Sequence, residues 1–109
     1  MKIYRANRAE TGTQVFVDVP DHLKLEVYEL NPRFDLRNHS PSGFEWGYGG
    51  EGPAQLALAI LADFLDYKHM AIVWYQDFKS AVVAKLPHEN WVLDEEDISE
   101  ALAALGLPV

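Results

Sequence analysis

Three segments near the N-terminus carry the patterning of strands. "KIYRA" alternates weakly, with Ile3 and Ala6 among polar residues. "TQVFVDV", residues 13–19, is rich in β-branched and aromatic types, which favour strands. "KLEVYEL" alternates cleanly, with Leu25, Val27 and Glu29 on one side and Glu26, Tyr28 and Leu30 on the other. Pro20 and Asp21 in "PDH" mark a turn between the last two, so a small antiparallel sheet is expected.

Periodicity is then lost over residues 31–42, "NPRFDLRNHSPS", which reads as an ordered loop with Phe34 and Leu36 as anchors to the core. "FEW" is a short extended piece before a run of glycines. The spacing predicts a helix over residues 53–66, with Pro53 at its first position. Leu56, Ile60 and Phe64 stack at intervals of four, and Leu61 and Leu65 flank them, so this helix is expected to be buried around most of its girth.

Residues 68–87 are more ambiguous. Ala71, Trp74, Phe78 and Val82 recur at the helix period, while "AIVWY" and "AVVA" have strand composition. The helix period is preferred, and Pro87 ends the element in either case. "WVL" leads to Asp94, which is placed to cap a last helix opening with Glu95, Glu96 and Asp97. Ile98, Ala101, Leu102 and Leu105 form its apolar face, and Gly106 with Pro108 stops it. The pattern amounts to a single α+β domain over residues 1–109, in which three to four antiparallel strands are packed by two to three helices.

Charge narrows the range of partners. Nine basic residues face seventeen acidic ones, a formal net charge of −8. Direct binding to nucleic acid, or to an anionic membrane surface, is not expected of such a chain. The acidity serves solubility, or it forms a face for a protein partner with a basic surface. It concentrates in Asp94, Glu95, Glu96, Asp97 and Glu100. There is no cysteine, which removes disulfides and thiolate chemistry and is compatible with the cytoplasm. The longest apolar run, "LALAILA", is far too short to span a bilayer, and the N-terminus has no secretory pattern.

The chemical motifs are few. "GYGGEG", residues 47–52, matches the glycine spacing of a dinucleotide-binding turn. A strand over "MAIVWY" would place Asp77 near the position of a ribose-binding acid. Against this, no apolar strand precedes the glycines, and Glu51 would put a carboxylate where phosphate belongs. Pro53 and Ala54 replace the lysine and hydroxyl of a phosphate-binding loop. The glycines are therefore read as a tight turn into the helix. His22, His39, His69 and His88 show no metal-ligand spacing, and no metal or other cofactor is expected.

Asp35, Arg37, Asn38, His39 and Ser40 crowd polar chemistry into one loop, either bonded to itself or serving as a binding loop with His39 as an acid–base group. Phe44, Trp46 and Tyr48 alternate, so an extended segment would put them on one face, covering the core or exposed as an interface. No catalytic constellation emerges.

The block "LRNHSPSGFEWGYGGEGPAQLALAILADFL", with "YQDFKSAVVAKLP" after it, resembles a small domain-of-unknown-function family found in bacteria, archaea, phages and plasmids. Asn38, His39, Ser40, Pro41, Phe44, Trp46, Gly47, Tyr48, Gly49, Gly50, Gly52, Pro53, Ala54 and Gln55 carry the resemblance, and Glu51 departs from the usual Ser. The family carries no assigned activity. Its occurrence in mobile elements implies an accessory role, with a hint of interference with host machinery. The expected function is a small acidic interaction module that binds or inhibits a host protein or a nucleic-acid-processing defence complex. The alternative is a ligand-binding or enzymatic domain built on loop 35–40 and the glycine turn. The oligomeric state is not legible.

Overall fold

A computed structural model describes residues 1–107. The order of elements is β1 (Ile3–Ala9), β2 (Gly12–Pro20), β3 (Leu25–Glu29), α1 (Glu51–Leu65), α2 (Lys68–Ala81), a short 3-10 turn (Val83–Lys85), β4 (Trp91–Asp94) and α3 (Glu95–Leu105). The strands form one antiparallel sheet in the order β3-β2-β1-β4. The fold class is α+β, as the patterning predicts. The fourth strand is the "WVL" lead-in to Asp94. It pairs with β1, with Leu93 opposite Tyr4 and Trp91 opposite Ala6.

Strand alternation sets the two faces of the sheet. Tyr4, Ala6, Val15, Val17, Trp91 and Leu93 point inward and are buried. Ile3 lies on the opposite face of β1 from Ala6, so the inward pair there is Tyr4 and Ala6. Every residue of β3 is exposed, and the strand lies at the edge of the sheet. The outer sheet face is open to solvent, as antiparallel sheets permit.

Helix α1 is the centre of the core. All of Leu56–Leu61 is completely buried. The helix begins at Glu51, two residues before the expected start, which puts Pro53 at its third position. This is tolerated because the first-turn N–H groups have no partner within the helix. Residues 68–81 are helix, not strands. Ala71, Tyr75 and Phe78 are buried, whereas Trp74 and Val82 are half-buried at the edge of the core. Asp77 therefore lies in mid-helix and exposed, not at the end of a strand. Helix α3 ends in a left-handed Gly106, whose N–H bonds back to Ala103 and Leu102. Pro108, expected to reinforce that stop, lies outside the described residues. No helix among the described residues is long and apolar enough to cross a membrane.

Candidate functional site

The polar loop of residues 31–42 lies across the start of α1 and against α2. Its anchor is Gln55, which has no exposure at all. Its Oε1 accepts the backbone N–H of His39 (2.7 Å) and of Ser40 (3.2 Å). Its Nε2 donates to the carbonyls of Pro32 (2.6 Å) and Arg37 (3.0 Å). The amide therefore uses both of its donors and accepts twice, which removes the cost of burying a polar group. Leu30 is the apolar anchor, fully buried, and Leu36 packs on the core. Phe34 is exposed instead of pinned. Arg33 adopts left-handed backbone at φ 59°, and its guanidinium forks onto Asp35 at 3.0 and 3.1 Å. That contact, opposed in part by burial, holds the Asp35 carboxyl below its ordinary pKa.

His39 bridges the two long helices. Its Nδ1 lies 2.6 Å from the Glu51 carboxylate and its Nε2 lies 2.7 Å from the Tyr75 hydroxyl. A carboxylate only accepts, so neutral His39 carries its proton on Nδ1, and Tyr75 then donates to Nε2. Glu51, which stands where a phosphate would sit, is instead the imidazole's partner. Both ring nitrogens are engaged within the chain. The arrangement of carboxylate, imidazole and phenol is one that can move a proton, but the Tyr75 end is buried.

The other expected loop residues do not gather around His39. Arg37 donates to the Leu36 carbonyl, and Asn38 is exposed beside it. Trp46 is 1% exposed and Tyr48 is 51% exposed, so they do not share a face. The break comes at Gly47, whose φ of 86° turns the chain and whose N–H donates to the Val83 carbonyl at 3.0 Å. Trp46 packs edge-on against Trp91 and donates through Nε1 to the carbonyls of His88 and Glu89. It belongs to the core, not to an exposed platform.

The glycines answer a steric demand. A Cβ on Gly47 would stand 3.1 Å from the Leu86 carbonyl oxygen, and one on Gly52 would stand 2.6 Å from the Glu45 Cβ. Glu45 has little freedom to move, since Arg8 clasps it at 2.6 and 3.1 Å while stacking over the Trp46 ring. The Arg8 hydrogen bond also holds the Glu45 carboxyl below its usual pKa, against the opposing effect of burial. The sheet is wholly antiparallel, and the segment before the glycines is not a strand. The dinucleotide reading therefore loses the parallel β-α-β frame that it needs.

A second polar cluster was not anticipated. The Asp63 carboxylate, late in α1, accepts from Tyr4 (2.5 Å), Tyr28 (2.6 Å) and Lys2 (3.0 Å). The readable signal was a carboxylate in the apolar stretch from Leu56 to Leu65 of α1, which needs partners when buried. Burial, together with hydrogen bonding to Asp63, raises the pKa of both phenols. Burial works against the Lys2 ammonium, yet Asp63 and Tyr28 outweigh it and its pKa also rises. A cavity of about 400 Å³ opens beside this cluster, lined among others by Tyr28, Glu29, Asp63 and Asp66. Another, of about 490 Å³, lies between the loop and β2, lined by Thr13, Val15, Phe34 and Phe44. Neither is lined by Arg37, His39 or Tyr48.

The acidic run at residues 94–100 divides by role. Asp94 and Asp97 form a reciprocal capping box, at 2.8 and 3.0 Å, that starts α3. Glu95 accepts the Lys2 backbone N–H and lies 3.7 Å from the N-terminal ammonium. Glu96 and Glu100 remain exposed without an ion-pair partner among the described residues.

No curated protein and no solved structure matches this chain. A family model does match, over residues 4–104, a longer span than the block that carries the resemblance in the sequence. The chain belongs to that family, a family of unknown function (DUF6166).

Proposed function

We propose that this protein is a small acidic interaction module whose partner presents a basic surface. The observation that carries this reading is the uneven use of its charges. Lys2, Arg5, Arg8, Lys24 and Arg33 are each paired to one of the chain's own carboxylates. The remaining basic residues are Arg37, Lys68, Lys79 and Lys85, found in the loop, on α2 and in the turn that follows it. Strand β3 and α3 thus present Glu29, Glu96 and Glu100 with no ion-pair partner among the described residues and no lysine or arginine on either element. Such a surface attracts a cationic protein and repels polyanions. A nucleic-acid-binding groove of a host defence or processing complex is a basic surface of this kind, and cytoplasmic residence goes with that proposal. The mobile-element role is part of the same reading.

The test is a titration of affinity for a cationic protein target against salt. Affinity should fall steeply from about 50 to about 500 mM salt, as screening shortens the reach of each charge. Indifference to ionic strength would sink the proposal.

A second reading rests on the alignment of Glu51, His39 and Tyr75, which gives an acid–base relay the right partners. It requires a ligand at the half-buried His39 ring. A small-molecule fragment screen read on the His39 ring protons would detect one, and silence from those protons across the screen would count against it.

A further inference from the structure

We infer that the free edge of β3 receives an extended segment of the partner, adding a fifth strand that carries basic side chains toward α1. This rests on the acidic-module reading and assigns it a surface and a binding mode. The ladder fixes which backbone groups are free. Leu30 donates its N–H to Val15 at 2.9 Å, in register with the β2–β3 pairing of Phe16 with Glu29. Antiparallel alternation then turns Tyr28 and Glu26 toward β2 and leaves the N–H and C=O of Leu25, Val27 and Glu29 pointing out of the sheet. Unpaired edge groups of this kind are the template for strand addition.

The side chains match the same geometry. Leu25 and Val27 are 59% and 47% exposed on the outer face, an apolar pair with no covering layer. Glu26 is already paired to Lys24 at 3.2 Å, but the 400 Å³ cavity beside the strand carries Glu29 and Asp66. Lys2 and Arg33 also line it, but each is already paired, to Asp63 and Asp35. An added strand alternating apolar and basic residues would lay the apolar ones against Leu25 and Val27 and the basic ones toward the cavity that Glu29 and Asp66 line. The other edge strand, β4, is a poorer template, with four residues and α3 directly after it. A second copy of this chain is a poorer occupant, since two β3 edges would bring together two acidic strands of a chain of charge −8.

The probe is a synthetic peptide of about eight residues alternating lysine and valine, near the usual strand length. Amide hydrogen exchange is followed by NMR on the whole chain. Leu25, Val27 and Glu29 should exchange freely alone and slow by about tenfold or more with peptide, while Glu26 and Tyr28 change little. Val27→Pro removes an outward N–H that β2 does not use. It should weaken the peptide by about tenfold, the loss of one such bond. If that variant does not fold, the exchange pattern of the natural chain decides alone. Salt-sensitive binding that leaves those three amides unprotected overturns the edge proposal and spares the acidic module. Absent or salt-insensitive binding overturns both. Equal binding of a glutamate–valine peptide overturns the charge match. Protection that grows with protein concentration without peptide overturns the partner in favour of a second copy.

Discussion

The side-chain oxygen of Gln55, inside the core, accepts the backbone N–H of His39 at 2.7 Å, and that bond joins the polar loop to the helix the domain is built around. The loop's shape thus depends on one buried amide more than on its own turns.

Replacing Gln55 with Leu is expected to cost about 3 kcal/mol, because four backbone groups lose their partner and a buried unpaired group costs more than a bond contributes. Urea unfolding measures it. A loss below about 0.5 kcal/mol, the range of a plain surface change, would mean that the loop does not depend on Gln55.

Gly52→Ala gives a test of sign. Alanine is the better helix former by about 1 kcal/mol, so propensity alone predicts stabilisation. The 2.6 Å approach to Glu45 predicts the opposite, a loss of about 1–3 kcal/mol from overpacking. Gly49→Ala meets nothing within 4 Å and serves as the control. Comparing the two melting temperatures decides which effect wins.

Alkaline pH should loosen the sheet from α1. Tyr4, Tyr28 and Lys2 all have folded pKa values raised above their ordinary ones. Folding therefore favours their protonated forms. The stabilisation is complete below about pH 10 and is lost as pH rises above it. Tyr4→Phe should flatten that decline. Unfolding free energies measured from about pH 8 to about pH 11 would show it, and equal slopes in both proteins would refute it.

The capping box predicts unequal roles within the acidic run. Asp94→Ala and Asp97→Ala should each cost about 1 kcal/mol of stability, as lost N-terminal caps do. Because the two residues bond to each other's backbone, the double variant should cost less than the sum. Glu96→Gln and Glu100→Gln should leave stability within about 0.5 kcal/mol while weakening a cationic partner. Thermal melts and binding isotherms separate the two effects.

The local rules of the chain reach far in this protein. Alternation over residues 24–30, the four-residue spacing from Leu56 to Phe64 and the cap at Asp94 each rest on contacts within a few residues, and they predict β3, α1 and the start of α3. The α+β class follows from them, as does helix over residues 68–81, where spacing outweighs β-branched composition. Contacts between distant segments are of another kind. Trp46 and Tyr48 have the same local signature, and only the Gly47 turn against Val83 and Leu86 sends one into the core and the other to solvent. Asp63 gathers Tyr4 and Tyr28 from two strands that are not neighbours in the sheet. His39 is singled out in the sequence as a polar loop residue, but its partners lie 12 and 36 residues away, so only the packed helices decide what each of its nitrogens meets. The sequence by itself determined the elements and the charge. Tertiary structure decided which polar groups are consumed in holding the fold and which edge is left free, because burial and pairing depend on what the folded chain brings into contact.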